Sequence, residues 1–254
     1  MNQDTNFDTL TEHFKKRIYG SSKGDIRLAV LQRDLDACLP DLNLGRLKVL
    51  DIGAGMAQIG TKLACMGHET CINDISQNML GLAKNNAALA GVENHIKWHH
   101  GAFQSLDEKP YDLVLCHAVL EWLQSPAELI TKLQYFTRNN SVVSLMFYNF
   151  DALVFHNLVR GNFKKIEQND FSGMKGGLTP PNPLKPAWVE AQLHQFGFEV
   201  FYKSGVRVFS DYVGIKRGGN ENAEDVLKLE LRYSNQEPYI NMGRYIHFMC
   251  KKRG

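Results

Sequence analysis

The sequence predicts an α/β fold: a seven-stranded, mainly parallel sheet wound with helices, an N-terminal helical cover and an insertion after the fifth strand. Three observations predict it. Short apolar runs alternate with helical stretches from Leu47 onward. Glycines close several of the helical stretches. The first apolar run passes straight into Asp51-Ile52-Gly53-Ala54-Gly55, and the second ends at another acid, Asp74.

The elements follow in order. Residues 7–19 read as a short helix with Phe7, Leu10, Phe14 and Ile18 on one face, broken at Tyr19-Gly20-Ser21-Ser22. Residues 24–39 read as a second helix, apolar at Ile26, Val30, Leu31 and Leu35 and ended by Pro40. Strands are expected at 48–52, 70–73, 96–99, 113–116 and 141–147. Between them lie a helix over 58–66 stopped by Gly67, one capped by Ser76 and ended by Gly91, and one from Pro126 to 136. Residues 151–160 look helical again. Residues 161–185, rich in Gly, Pro, Asn and Lys, show no periodicity and read as an insertion or lid. A helix from Pro186 to 196 follows, then strands at 198–202 and 206–209, a helix at 222–233 and a closing strand at 245–250. A final pair of strands after the last helix is expected as an antiparallel edge hairpin. The whole chain, 1–254, reads as one domain: cover 1–45, nucleotide-binding half 46–160, insertion 161–185, and C-terminal helices with the hairpin 186–254.

Composition narrows the class. The chain is 44% hydrophobic and 22% charged, ordinary for a globular domain. It holds no apolar run long enough for a transmembrane helix, and its polar start does not resemble a secretory signal. Five scattered cysteines, Cys38, Cys65, Cys71, Cys116 and Cys250, form no Cys-x-x-Cys pair. That argues against disulfides or zinc and for a cytoplasmic protein. Residues 1–160 hold 15 Lys/Arg against 17 Asp/Glu, and residues 161–254 hold 14 against 10, so any polyanion would favour the second part. A solvated basic face accounts for the same counts.

The glycine-rich turn carries the chemistry. Gly53 and Gly55 let backbone approach a ligand. A dinucleotide fingerprint wants a third glycine where this chain has Ala57. Asp51 ahead of the turn repels a phosphate but suits an ammonium group. S-adenosylmethionine has an ammonium and no phosphate. Asp74 stands where a ribose-binding acid belongs. His117, at the end of the fourth strand, is a candidate contact because ligands sit at the carboxyl ends of such strands. No Asn/Asp-Pro-Pro-Tyr/Phe motif follows that strand, Cys116 is not preceded by Pro, and no acid cluster suggests a metal. The acceptor is therefore expected to be a good nucleophile already, such as a carboxylate. His99 and His100 are adjacent, so on a strand they face opposite ways, and no metal site is expected.

Blocks outside this core carry a resemblance. They are Phe7-Asp8, Ile18-Tyr19-Gly20, Lys23-Gly24-x-x-Arg27, His117-Ala118-Val119-Leu120-Glu121-Trp122 and Leu145-Met146-Phe147-Tyr148-Asn149. Further blocks are His156-Asn157, Gly161-Asn162-Phe163, Gly205-Val206-Arg207-Val208-Phe209 and Arg232-Tyr233. Gln236-Glu237-Pro238-Tyr239-Ile240 and Gly243-Arg244-Tyr245-Ile246-His247 complete the set. With them the chain resembles the bacterial tRNA 5-carboxymethoxyuridine methyltransferases, which have a Rossmann-like class I methyltransferase fold. The resemblance implies methylation of the carboxylate of 5-carboxymethoxyuridine at the tRNA wobble position, using S-adenosyl-L-methionine. It implies cofactor contacts at Arg27, Gly53, Ala54, Asp74, Phe103, Gln104 and His117, beside Asp51 and Gly55. Arg207 and Arg244 are candidates to hold the substrate carboxylate, with Tyr239 and Tyr148 as hydroxyl partners. Lys164, Lys165, Lys175 and the tail Lys251-Lys252-Arg253 are candidate phosphate contacts for the tRNA anticodon region, although solvated disorder suits the tail better. No obligate protein partner and no membrane association are expected.

Two other readings use the same core. A small-molecule carboxyl or hydroxyl methyltransferase would act without RNA. A non-catalytic interaction protein would not bind S-adenosylmethionine, and the intact Asp51, Gly53, Gly55 and Asp74 speak against it.

Overall fold

A computed structural model of the chain describes residues 6, 8, 21–171, 179–213 and 222–254. The helix expected over 7–19 lies outside the described residues, as does Lys175. Seven strands form one sheet: β1 (Lys48–Ile52), β2 (Glu69–Asp74), β3 (Ile96–His100), β4 (Tyr111–His117), β5 (Thr137–Tyr148), β6 (Phe198–Val206) and β7 (Tyr245–Lys252). Their order is β3-β2-β1-β4-β5-β7-β6. The pairings among β1 to β5 are parallel, and β7 runs antiparallel to both of its neighbours.

The helices are α1 (Ser22–Cys38), α2 (Gln58–Cys65), α3 (Gln77–Leu89), α4 (Pro126–Leu133), α5 (Phe150–Val159), α6 (Phe163–Glu167), α7 (Pro186–Gln195) and α8 (Ala223–Tyr233). Sequence dictates most of their ends. The Ser76 hydroxyl accepts from the Met79 amide at the start of α3, and Asp8 accepts from that same hydroxyl at 2.6 Å. Pro opens α4 and α7, where its missing N–H costs nothing. Ile26, Val30, Leu31 and Leu35 of α1 are buried, each stabilising the chain by roughly 1.5–3 kcal/mol. They pack with Val49, Leu113, Leu115, Met146 and Met249 on one sheet face. The other face carries Leu50, Val114, Leu145 and Phe248 under α4 and α7. The two faces alternate residue by residue along β1, β4 and β5, as a twice-covered sheet requires.

The structure corrects several expectations. Residues 198–209 are not two strands. They form the single strand β6, which stops at Val206 because Arg207 takes a left-handed φ of 62°. No hairpin follows the last helix either: α8 lies between β6 and β7, and β7 inserts between β5 and β6. Residues 161–185 are not wholly irregular, since α6 lies there. Its far end is pinned to the sheet: Leu184 N–H donates to Tyr148 O at 2.9 Å, and Phe150 N–H donates to Leu184 O at 3.0 Å. The C-terminal tail is ordered too. Lys252 donates to Phe196 O at 2.6 Å, and Arg253 pairs with Glu199, so these cations serve the fold. Among the described residues no helix is long and apolar enough to cross a membrane.

Candidate functional site

The sheet order reverses between β1 and β4, and a cavity opens at the carboxyl ends of β1, β2 and β4. Arg27, Asp51, Gly53, Ala54, Gly55, Asp74, Phe103 and His117 all line it. Gln104 does not. The tight turn Phe103–Ser105 sends Phe103 inward and leaves Gln104 exposed.

The turn is built for close approach. Gly53 has φ +59°, and a Cβ there would lie 2.6 Å from Val119 Cγ2. Gly55 has φ 58°, and its N–H donates to Asp74 Oδ2 at 2.7 Å. Ser76 N–H donates to the other oxygen of Asp74 at 2.8 Å. Burial raises the Asp74 carboxyl above its usual range, against these amides. Asp51 is perturbed in the same direction. Burial, then the neighbouring Asp74, pushes it up to about 7. Gly60 makes room for it, because a Cβ there would stand 2.7 Å from Asp51 Oδ2. Two buried carboxylates converge on this cavity, and Arg27 is the one Lys or Arg among its described lining residues. Such a site repels phosphate and suits a ligand with an ammonium and a sulfonium.

His117 is pushed well below the usual imidazole range by burial, then by His247 and Arg27. It is therefore neutral at pH 7. Its Nε2 lies 2.8 Å from Ser144 Oγ. His99 and His100 point apart, to Ser105 Oγ and to Ile75 O. Among the described residues no group of His, Cys, Asp and Glu side chains is placed to hold a metal ion.

A second cluster adjoins the cavity through Tyr245, which lines it. The Tyr148 and Tyr245 rings lie 5.4 Å apart. The Arg244 guanidinium sits 5.0 Å from the centre of the Tyr148 ring, and that of Arg207 sits 5.6 Å from Tyr245. Asp211 reaches both arginines, at 3.5 Å and 3.9 Å. Arg244 Nη1 and the Tyr148 hydroxyl are buried without a hydrogen-bond partner among the described residues. Buried donors are rarely left so. Tyr239 is not part of this group. It is half exposed and packs on Tyr233 at 5.0 Å.

Sequence reasoning passed over Asp34, Gly60, Ser144 and Asp211. It noted Tyr245 and His247 only within a matching block. For Ser144 and His247 a signal existed: each is a polar residue inside an otherwise apolar strand run.

Such a fold, with paired strand-end acids over a glycine turn, defines an S-adenosylmethionine-dependent methyltransferase. A methyltransferase domain family matches residues 49–140. A tRNA 5-carboxymethoxyuridine methyltransferase of Escherichia coli K12 is 41% identical over 98% of this chain and 97% of its own length. Among solved structures, a magnesium protoporphyrin IX methyltransferase from Synechocystis with bound SAH superposes with TM-score 0.66 at 19% identity, over 97% of this chain and 96% of that one. A methyltransferase from Thermotoga maritima, described as a possible histamine N-methyltransferase, gives 0.63 at 13% identity, over 97% and 98%. These two likenesses establish the fold. The chain belongs to the tRNA 5-carboxymethoxyuridine methyltransferase family.

Proposed function

We propose that this chain methylates the carboxylate of 5-carboxymethoxyuridine at the wobble position of tRNA, forming the methyl ester. The observation that carries this reading is the paired guanidinium cluster of Arg207 and Arg244, adjoining the cofactor cavity through Tyr245. S-adenosylmethionine supplies an electrophilic methyl on a sulfonium. Asp51 and Asp74 would take its ammonium and ribose ends, Arg27 its carboxylate, and Phe103 and Ala54 would border the adenine.

The acceptor side needs no general base, because a carboxylic acid of pKa near ~3.5 is ionised at pH 7. What the residues supply is alignment. Arg244 Nη1 and the Tyr148 hydroxyl, both unpartnered, can hold one oxygen and leave the other to react. Asp211 draws off part of the charge of both arginines, so the carboxylate is held without being fully neutralised. Closure of a dry pocket favours a step in which opposite charges cancel.

The tRNA side lies beside this cluster. The Tyr212 hydroxyl donates to Met242 O at 2.8 Å, and its ring packs on Phe155 and His156. Beyond Phe155, α5 and α6 expose Leu158, Val159 and Phe163 together with Arg160, Lys164 and Lys165. Aromatic faces among cations suit the unstacked bases and phosphates of an anticodon loop. All five cysteines are free, consistent with action in a reducing cytoplasm.

The test uses tRNA from cells lacking the gene, incubated with purified protein and S-adenosylmethionine, and digested for nucleoside mass spectrometry. Conversion of the free acid to the methyl ester supports the reading. An unchanged acid alongside methylation of a small carboxylic acid would favour the small-molecule alternative.

A further inference from the structure

Glu230 of α8 is 0% exposed, although a buried carboxyl group costs free energy unless its oxygens are hydrogen-bonded. Three consecutive backbone amides supply the bonds. Val208 N–H donates to Oε2 at 2.8 Å, and Phe209 and Ser210 N–H donate to Oε1 at 3.2 and 2.9 Å. These amides follow directly on Arg207. Glu230 lines no part of the cofactor cavity, so its place in the core is not explained by the cofactor.

We propose that Glu230 is a positioning residue of the acceptor site. By gathering the three amides it holds the turn that presents the Arg207 guanidinium to the substrate carboxylate. The proposal rests on the reading that Arg207 binds that carboxylate.

The backbone needs such a hold. Arg207 takes φ 62°, a left-handed conformation that costs a non-glycine residue free energy and persists where the surroundings fix it. One helix fixes the chain on both sides. Ahead of Arg207, Gly205 N–H donates to Ser234 O at 2.7 Å. After it come the three bonds to Glu230. Residues 230 and 234 are about one turn apart, with Ser234 N–H donating to Glu230 O at 2.9 Å. The end of α8 therefore grips both flanks of Arg207. It is tied down in turn: Arg33 of α1 donates to Leu231 O and Ser234 Oγ, each at 2.6 Å, and to Ser204 Oγ of β6 at 2.9 Å.

The turn decides where the guanidinium goes. It brings Asp211 Oδ2 to 3.5 Å from Arg207 Nη2 and sets the guanidinium 5.6 Å from the centre of the Tyr245 ring. Released from Glu230, Arg207 would relax toward negative φ and its side chain would leave Tyr245. Each oxygen of Glu230 keeps a lone pair whether or not the carboxyl is ionised, so the three bonds do not depend on its charge. A glutamine in its place offers one such oxygen and turns an NH2 donor on the rest.

Glu230→Gln therefore keeps at most two of the three bonds. On tRNA from cells lacking the gene it should lower kcat/KM for tRNA about tenfold, with the affinity for S-adenosylhomocysteine unchanged in calorimetry. A double-mutant cycle separates loss through Arg207 from general loosening. Arg207→Ala should lower kcat/KM for tRNA by itself, and adding Glu230→Gln should then cost less than about twofold more. A full tenfold loss in that background, or none in the single Glu230→Gln variant, overturns the positioning role. Arg207→Ala as active as the parent overturns the reading of Arg207, and the proposal with it, whatever Glu230 does. Hydrogen exchange needs no variant to fold. In the parent protein the amides of Val208, Phe209 and Ser210 should exchange at least about a hundredfold more slowly than in an unfolded chain. Unprotected amides there overturn the hold on the turn.

Discussion

Arg207 and Arg244 are joined through their backbones, Arg244 N–H donating to Arg207 O at 3.3 Å, although they belong to the ends of different strands. The contact depends on two glycines. A Cβ on Gly243 would lie 2.5 Å from Gly205 Cα and 2.7 Å from Val206 N. Backbone cannot move aside as a side chain can. Gly243→Ala should therefore lower stability by roughly 3 kcal/mol or more, read as a fall in the urea midpoint. A variant as stable as the parent would show that the two backbones are not in contact.

Arg244→Ala should reduce methylation at subsaturating tRNA by about a hundredfold, the cost of a buried charged hydrogen bond. Cofactor affinity should not change. Tyr148→Phe, which removes one unpartnered hydroxyl, should cost less, about tenfold. Steady-state kinetics with calorimetry on the same samples separates the two sites. Equal loss of cofactor binding in Arg244→Ala would contradict the separate acceptor site.

Cofactor affinity should depend on pH through Asp51, whose carboxyl is raised to about 7 by burial and then by Asp74. The protonated acid does not attract a cation. Affinity should rise by up to about tenfold per unit between pH 5 and 7 and level off above. Asp74, also raised, acts in the same direction. Asp51→Asn should flatten the profile. A pH-independent affinity in the parent protein would sink the idea.

Glu121 is a buried acid whose two oxygens find no well-formed hydrogen bond among the described residues, only the weaker approach of nearby backbone amides. The backbone amides of Glu121 and Tyr148 lower its pKa, but burial dominates and raises the carboxyl from 4.5 to about 8. The folded state thus prefers the protonated acid. That stabilisation is complete below the ordinary value and is lost as pH rises through about 8. Over that window it amounts to roughly 5 kcal/mol. Glu121→Gln should remove this slope and be more stable than the parent at pH 8.5. Parallel stability curves from pH 5 to 9 would refute the assignment.

Binding of tRNA should weaken steeply with salt, and Lys164→Ala with Lys165→Ala should reduce the slope of log affinity against log salt by about 1 to 2. Filter binding between about 50 and 300 mM salt, which brackets physiological ionic strength, reads it. An unchanged slope would move the RNA surface away from α6.

Much of the fold was legible because its determinants are local. The turn Gly53-Ala54-Gly55, the cap Ser76, the stop residues Gly67 and Gly91 and the prolines at 126 and 186 each act within a few residues. β1, α2, α3 and α7 accordingly fall where periodicity put them. The misread region, 198–209, failed for a local reason as well: Arg207 adopts a left-handed φ, rare enough for a non-glycine that propensity favours a continuing strand. Gln104 was misplaced because a tight turn separates adjacent side chains by about a third of a circle.

By itself the sequence determined which residues line the cavity at the ends of β1 and β2, since Asp51, the glycine turn and Asp74 lie on consecutive elements whose geometry is set by short-range sterics. Only the tertiary structure decided the rest. Insertion of β7 between β5 and β6 sets His247 diagonally across from Ser144 and Arg244 beside Arg207, while packing of α1 on the same face delivers Asp34. Strand order and register are properties of the whole sheet. No run of neighbouring residues encodes them, and it is there that the Arg207–Arg244 cluster and the buried contacts among Asp34, His247, Ser144 and His117 are made.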